Sequence, residues 1–264
     1  MIKQLLTVSF FVFLFFTITL YVFQRHLIYF PAKEMPSRKE FHAEDMQKIN
    51  LKTKDGLVLN AWYKPASLNR PTLLYLHGNA GHIGYRMPLT RQFLSAGLGV
   101  LLLEYRGYGG NPGRPTEQGL YKDGQAAIQF LQQQGINSSR LALYGESLGT
   151  GVATKLATEY PVCALVLQSP FTSLPAVARY HYPWIFVPPW DKFDSLSRIG
   201  SLRVPLLIIH GKEDDLVPFS QGLALYREAM EPKKLLGIEN KTHYDLWDLN
   251  FSNQVISFIK TSCS

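Results

Sequence analysis

The hydrophobic positions of this chain form short apolar runs that alternate with longer segments of helical periodicity. Short apolar runs are typical of strands buried on both faces of a parallel sheet; here they are Thr72–Leu76, Gly99–Glu104, Leu141–Tyr144, Ala164–Leu167, Leu206–Ile209 and Leu235–Ile238. The segments with helical periodicity are Thr116–Gln134, Thr150–Tyr160, Phe219–Met230 and Asp245–Thr261. Leu57–Tyr63 alternates apolar and polar residues, which predicts an antiparallel edge strand. Together these elements predict an α/β fold, with a mostly parallel sheet flanked by helices.

The N-terminal segment has a different pattern. From Leu5 to Phe23 it contains no charged residue, and as a helix this stretch is about 28 Å long, close to the thickness of a bilayer core. Tyr21, Arg25 and Tyr29 suit the membrane interface. A cleaved signal peptide has a shorter apolar region followed by a small-residue cleavage site, and the residues around Phe23 offer none. We therefore predict an uncleaved, single-pass N-terminal transmembrane helix.

These patterns divide the chain into three parts. Residues 1–24 are the predicted anchor, residues 25–46 a linker, and residues 47–264 the α/β domain. Within that domain, residues 171–198 are rich in aromatic residues and proline and lie between two predicted core strands. This insertion predicts a small cap over the strand ends, which either packs on the domain or also forms an apolar wall for an acyl group.

Charged residues on the two sides of the anchor bear on its orientation. Lys3 precedes the apolar stretch, whereas Arg25, Lys33, Arg38 and Lys39 follow it. By the positive-inside rule this distribution favours a cytoplasmic α/β domain. Acidic residues are mixed with the basic ones, and the side of the membrane is left open.

Composition narrows the classes of partner. The formal net charge is +7, but the basic residues are scattered and no nucleic-acid-binding motif is present, so nucleic acid is not an expected partner. The two cysteines, Cys163 and Cys263, lie far apart in the sequence and suggest neither a disulfide framework nor a metal site. We expect no metal and no organic cofactor.

A possible nucleophile lies between a predicted strand and a predicted helix. The pattern Gly145-Glu146-Ser147-Leu148-Gly149 is a G-x-S-x-G sequence. The five-residue pattern is weak by itself, but a strand–turn–helix context is what a nucleophile elbow requires. Flanking glycines avoid collisions with the strand and the helix, and the helix N-terminus provides free N–H groups. Ser147 is therefore the candidate nucleophile.

A serine nucleophile needs a base and an acid that orients the base. Asp214 follows the predicted strand Leu206–Ile209, and His243 follows the strand Leu235–Ile238. The carboxyl ends of parallel strands meet at one edge of a sheet, so both side chains are expected near Ser147. Spacing alone does not separate Asp214 from Asp215.

An oxyanion hole needs two N–H donors. One is expected from Leu148, directly after the nucleophile. The other is expected from the loop after Thr72–Leu76, where Asn79 is the first candidate and Ala80 the second.

Five motifs occur in the order found in a known superfamily: His77-Gly78-Asn79-Ala80-Gly81, Glu104-Tyr105-Arg106-Gly107-Tyr108-Gly109, Gly145-Glu146-Ser147-Leu148-Gly149, Ser169-Pro170-Phe171-Thr172 and Asp214-Asp215-Leu216-Val217-Pro218. Over residues 47–262 the chain resembles the α/β-hydrolase superfamily. It is most similar to the membrane-anchored, small-capped serine hydrolases of the bud-emergence and depalmitoylase-like branch. The resemblance implies that the aspartate opening D-x-x-V-P, Asp214, is the triad acid.

The functional hypothesis is a serine hydrolase that cleaves carboxylic esters or thioesters through an acyl-enzyme. Its substrate would be a small molecule or an acyl lipid, and the N-terminal helix would hold it at a membrane. Two alternatives remain: an amidase or peptidase that uses the same triad, and a non-catalytic, membrane-tethered binding protein. The natural substrate and the oligomeric state are left open.

Overall fold

A mostly parallel sheet forms the centre of the molecule. The computed structural model describes residues 2–184 and 187–263. Its strands within those residues are β1 Phe30–Pro31, β2 Gln47–Lys52, β3 Val58–Lys64, β4 Thr72–Leu76, β5 Ala80–Gly81, β6 Gly99–Leu103, β7 Leu141–Glu146, β8 Ala164–Gln168, β9 Leu206–Gly211 and β10 Lys233–Ile238. The seven apolar or alternating runs predicted as strands become β3, β4, β6, β7, β8, β9 and β10, and these strands form the main sheet together with β2.

Helices cover the sheet and extend from it. They are α1 Ile2–Ile28, α2 Met87–Ser95, α3 Glu117–Gln133, α4 Leu148–Glu159, α5 Leu174–His181, α6 Leu196–Ile199, α7 Phe219–Glu228 and α8 Leu249–Ser262. Side chains cap several of them: Thr116 accepts from the Gly119 N–H at the start of α3, and Asp248 accepts from the Phe251 N–H at the start of α8.

The strands of the main sheet lie in the spatial order β10-β9-β8-β7-β4-β6-β3-β2. All neighbours from β10 to β6 are parallel, whereas β3 is antiparallel to both β6 and β2. The prediction that Leu57–Tyr63 is an edge strand is therefore wrong, because β2 covers β3. In β2 only Ile49 and Leu51 are apolar, so this edge strand has no continuous hydrophobic signal.

Alternate residues of the central strands enter two separate cores. Leu143 of β7 and Leu165 of β8 belong to the core on one face, and their neighbours Tyr144 and Val166 belong to the core on the other face. All four side chains are fully buried. A strand presents successive side chains to opposite faces, so a run that is apolar at every position is stable only between two layers of helices.

A disulfide joins the start of β8 to the end of α8. Cys163 and Cys263 are bonded, with their Cα atoms 5.0 Å apart. The expectation of no disulfide was wrong, because the cysteines are 100 residues apart in sequence and meet only through the packing of α8 beside the sheet. Both cysteines are buried.

The N-terminal helix is long, apolar and exposed. Its most apolar window has a mean hydropathy of 2.3, and no residue of that window is buried. The helix continues past residue 24 to Ile28, and β1 follows it at once and pairs in parallel with β5. The first part of the predicted linker therefore belongs to the helix.

The segment between β8 and β9 includes residues 171–198, which the sequence predicts to form a cap, and we refer to these residues as the cap. It contains α5 and α6. Ile185 and Phe186 of the predicted cap lie outside the described residues, as do Met1 of the predicted anchor and Ser264 at the end of the chain.

Candidate active site

Ser147 lies in a strained turn between β7 and α4. Its backbone has φ 49° and ψ −115°, in a region that residues other than glycine rarely adopt. Close packing around it explains both flanking glycines. A Cβ at Gly149 would lie 2.0 Å from the Leu76 carbonyl oxygen, and one at Gly145 would lie 2.7 Å from the Gly149 carbonyl oxygen. The turn therefore raises the serine hydroxyl at the tip of β7.

Three predicted site residues form one hydrogen-bonded chain. Nε2 of His243 lies 2.9 Å from Oγ of Ser147, and Nδ1 of His243 lies 2.7 Å from Oδ2 of Asp214. The carboxylate accepts a hydrogen bond from Nδ1–H, which leaves Nε2 as the acceptor for the serine hydroxyl. Ser147 and His243 are 96 positions apart in the sequence, and the fold brings them together. The arrangement can transfer a proton from the hydroxyl to the imidazole.

Asp214 is held by more groups than the histidine alone. Its Oδ1 accepts hydrogen bonds from the Leu216 N–H at 3.1 Å and the Val217 N–H at 2.7 Å. Nε2 of His210 lies 3.2 Å from Oδ2. Burial opposes ionisation of this carboxyl, but the histidine and backbone donors outweigh it and hold its pKa well below the ordinary value. Asp214 is thus a carboxylate, as an acid that orients an imidazole must be.

Leu148 and Asn79 are the residues predicted to supply the oxyanion hole. Both residues line the pocket that contains Ser147. Leu148 is the first residue of α4, whose N–H lacks an intrahelical partner. The Asn79 carbonyl accepts hydrogen bonds from the Phe30 N–H at 2.9 Å and from the Tyr108 hydroxyl at 2.8 Å. The Tyr-Arg-Gly-Tyr-Gly motif therefore helps to orient this loop.

A buried ion pair holds the residue that precedes Ser147 in the turn. Arg86 donates to Glu146 through Nη2 at 2.8 Å and Nε at 3.1 Å, and the Tyr75 hydroxyl donates to the same carboxylate at 2.9 Å. Burial opposes ionisation of Glu146, but the guanidinium and the phenol hold its pKa below the ordinary value. Glu146 is the residue directly before the nucleophile, so this pair fixes the backbone at the turn.

An apolar pocket of about 640 Å³ leads away from Ser147. Phe171, Leu216 and Val217 line it together with residues of the cap and of the N-terminal helix. Among the described residues, no aspartate, glutamate, lysine or arginine lines it. Such a lining suits an uncharged hydrocarbon chain.

Asp191 of the cap links the N-terminal helix to the rest of the molecule. Its carboxylate accepts hydrogen bonds from Arg25 Nε at 2.9 Å, Arg25 Nη2 at 3.2 Å and the Tyr29 hydroxyl at 2.9 Å. The Glu117 N–H donates to it at 3.1 Å. Burial, together with the Asp191 charge, raises the pKa of the Tyr29 phenol above its ordinary value, so this hydroxyl stays a donor.

Comparison with known proteins decides the family. A family model described as "Serine aminopeptidase, S33" matches residues 68–193. The protein bem46 of Schizosaccharomyces pombe is 34% identical over 235 residues, which cover 81% of this chain and 78% of that protein. The chain belongs to the bem46-like branch of the α/β-hydrolase family.

A second relative and a solved structure are also similar to this bem46-like hydrolase. The lysophosphatidylserine lipase ABHD12 of Danio rerio is 35% identical over 199 residues, which cover 67% of this chain and 52% of that protein. The esterase Pf2001 of Pyrococcus furiosus superposes with a TM-score of 0.74 at 22% identity, covering 89% of this chain and 100% of the esterase chain. That structure confirms the α/β-hydrolase fold predicted from the sequence.

The sequence reasoning missed several residues that shape the site of this bem46-like hydrolase. Arg86 lies in a stretch without a motif, and only the buried charge of Glu146 in the elbow could have indicated a cationic partner. Asp191 and Arg25 are 166 positions apart. Asp191 is the first acidic residue after the aromatic and proline-rich run Tyr180–Trp190, and this position is the one sign in the sequence that it has a special role.

Proposed function

We propose that this protein is a serine hydrolase that cleaves carboxylic esters or thioesters of acyl lipids or other acylated molecules. The observation that carries the proposal is the hydrogen-bonded chain from Asp214 through His243 to Ser147 at the inner end of an apolar pocket. Nucleophile, base and orienting acid are then in contact before a substrate binds.

The reaction follows from these contacts. His243 Nε2 takes the Ser147 proton as Oγ bonds to the acyl carbon, and the carbonyl oxygen becomes an oxyanion held by the N–H groups of Leu148 and Asn79. The imidazolium, stabilised by Asp214, gives its proton to the leaving alcohol or thiol. Water then loses a proton to His243 and attacks the acyl-enzyme, which releases the acid and restores Ser147.

The pocket supports an acyl substrate more than a peptide. The matched family model is described as serine aminopeptidase, which favours an amidase as the second candidate. An aminopeptidase recognises a free α-ammonium group, and no carboxylate lines the described pocket. A relative named as a lysophosphatidylserine lipase supports the lipid-ester alternative.

The protein is proposed to act at a membrane through α1. Signal-peptide cleavage before the domain would separate Arg25 from Asp191 and remove the helix that lines the pocket, so retention of the helix is consistent with these contacts. The positive-inside rule favours a cytoplasmic domain, whereas a disulfide between Cys163 and Cys263 persists in oxidising compartments. We favour the oxidising, extracytoplasmic side, because the cysteines are bonded within the folded core.

Hydrolysis assays on the full chain in detergent micelles test the activity. The substrates are p-nitrophenyl esters of increasing chain length, a palmitoyl thioester and aminoacyl p-nitroanilides. Wild-type protein is expected to hydrolyse the esters and the thioester, and Ser147→Ala is expected to lose at least about 10⁴-fold in kcat. Ser201→Ala, at an exposed serine, is the control and should match the wild type.

Three results would contradict the proposal. Faster turnover of anilides than of esters would favour the amidase. No hydrolysis by the wild type would favour the non-catalytic binding protein, and equal activity of wild type and Ser147→Ala would show that Ser147 is not the nucleophile.

A further inference from the structure

The N-terminal helix forms one side of the pocket that ends at Ser147. Phe13, Phe16, Leu20, Gln24 and Ile28 all line this pocket, and their spacing of three or four positions places them on one face of α1. At 1.5 Å per residue, this face extends about 22 Å along the helix axis. The pocket is therefore long and follows the helix away from the catalytic residues.

The cap forms the opposite side and packs directly on the helix. The rings of Phe16 and Trp184 stack with centroids 6.4 Å apart, and those of Tyr21 and Trp190 meet edge-on at 5.2 Å. The Arg25 guanidinium lies 5.1 Å from the centre of the Trp190 ring. Helix and cap thus enclose a slot between them without closing it, since Trp184 and Trp190 remain partly exposed.

The helix position is fixed relative to the nucleophile. Asn79 Nδ2 donates to the Ile28 carbonyl at 2.9 Å, and the Phe30 N–H donates to the Asn79 carbonyl at 2.9 Å. Asp191 holds Arg25 from the cap side. The C-terminal end of α1 is therefore bonded both to the oxyanion loop and to the cap.

The same helix is long and apolar enough to cross a bilayer. Its other face, with Phe11, Phe15 and Val22, is exposed. An ester lipid in a bilayer has its carbonyl near the interface and its hydrocarbon chain in the core. Ile28 is bonded to Asn79 at the end of the pocket that holds Ser147, and Phe13 lies toward the middle of the helix, so the two ends of the pocket face match this orientation.

We propose that α1 is a wall of the substrate site, and that a long-chain acyl ester reaches Ser147 directly from the bilayer through the slot between α1 and the cap. Its acyl chain then lies along the face from Ile28 to Phe13. The proposal rests on the proposed ester hydrolysis and specifies its substrate class as a bilayer-resident ester with a long acyl chain. In this arrangement the anchor selects the substrate as well as holding the enzyme at the membrane.

A pair of tryptophan substitutions in the full chain tests the wall. Leu20→Trp fills the pocket face, whereas Val22→Trp places the same ring at nearly the same depth on the exposed face. The substrates are p-nitrophenyl palmitate and p-nitrophenyl butyrate with protein in phosphatidylcholine vesicles. Leu20→Trp is expected to lower the ratio of kcat/KM for palmitate to kcat/KM for butyrate at least about tenfold, and Val22→Trp is expected to leave this ratio unchanged.

The outcomes separate this inference from the proposed function. Wild type that hydrolyses neither ester contradicts the proposed function and the inference with it. Wild type that hydrolyses both, with a Leu20→Trp variant whose palmitate-to-butyrate ratio is unchanged, overturns the inference alone.

A covalent probe locates the chain without any substitution. A long-chain fluorophosphonate with a diazirine at its far end is reacted with wild-type protein in the same vesicles and then irradiated. Crosslinks are expected between the alkyl end and the pocket face of α1, around Phe13 to Leu20. Crosslinks confined to helices that flank the sheet, such as α3 or α7, with none to α1, overturn the inference.

Discussion

The side chain of Asn79 donates a hydrogen bond from Nδ2 to the Ile28 carbonyl oxygen, 2.9 Å away. One residue therefore joins the last turn of the N-terminal helix to the loop whose backbone N–H is proposed to hold the oxyanion. Any shift of the helix end displaces this loop, because β1 also pairs with β5 beside it.

Removal of that side chain should reduce catalysis more than stability. Asn79→Ala keeps the backbone N–H but loses the bond to Ile28, which contributes about 1 kcal/mol to folding. A misplaced donor raises the barrier, and we expect kcat for a p-nitrophenyl ester to fall about 10- to 100-fold with little change in KM. Steady-state kinetics measure the effect. Asn253→Ala, on the exposed face of α8, is the control, and an unchanged kcat in Asn79→Ala would contradict the role of the loop.

Asp214 should affect both catalysis and the pH dependence of stability. Asp214→Asn removes the carboxylate that selects the His243 tautomer, and we expect kcat to fall about 10⁴-fold. The pKa of Asp214 is lower in the folded protein than the unfolded value of about 3.9. Its ionised form therefore stabilises the fold above that pH, and this contribution is lost as pH falls toward the folded pKa.

Urea denaturation in detergent compares the free energy of unfolding of wild type and Asp214→Asn. The difference in free energy of unfolding between the two proteins is expected to be largest at pH 7 and smaller at about pH 3. A difference that is the same at both pH values would show that the carboxylate is not stabilised by its partners.

Substitutions of Arg86 and Glu146, the buried ion pair next to the nucleophile turn, should have strongly coupled effects on the free energy of unfolding. Arg86→Met leaves the Glu146 carboxylate buried without its main partner, and we expect the free energy of unfolding to fall by about 3–5 kcal/mol. The double variant Arg86→Met/Glu146→Leu should recover much of this loss. Lys155→Met breaks a more exposed pair with Glu159 and should cost less than about 1 kcal/mol. Additive losses in the double variant would rule out the coupling.

The disulfide makes a separate prediction. Cys163→Ala/Cys263→Ala opens a loop of 100 residues, and we expect the free energy of unfolding to fall by about 4 kcal/mol. Maleimide added to cells during denaturing lysis, without a reductant and before any other thiol reagent, should modify neither cysteine. Modification of both would show that the thiols are reduced in the cell and would support a cytoplasmic domain.

The sequence predicted that Ser147, His243 and Asp214 lie together because each has a local marker. Ser147 lies in a five-residue motif, and Asp214 and His243 each follow a short apolar strand, so the topology of a parallel sheet brings them to one edge. The buried central strands were equally clear, since continuous apolar runs are required where both faces are covered.

The remaining features depend on packing between distant parts of the chain. The Arg25–Asp191 contact joins residues 166 positions apart, and the Cys163–Cys263 bond depends on where α8 ends beside β8. The role of Phe13 and Leu20 in the pocket follows from the direction in which α1 leaves the domain. No periodicity within α1 could show that direction, because seven consecutive apolar residues, from Phe10 to Phe16, cover every face of the helix.

The central claim is that Ser147 is the nucleophile of an acyl-transfer site. Purified full-length protein is treated with a fluorophosphonate probe, digested and mapped by mass spectrometry, with His243→Ala as a second sample. The account predicts one phosphonylated serine, Ser147, in the wild type, and labelling slowed at least about 10³-fold in His243→Ala. Wild-type protein that stays unlabelled, or that is labelled at another serine, would contradict it.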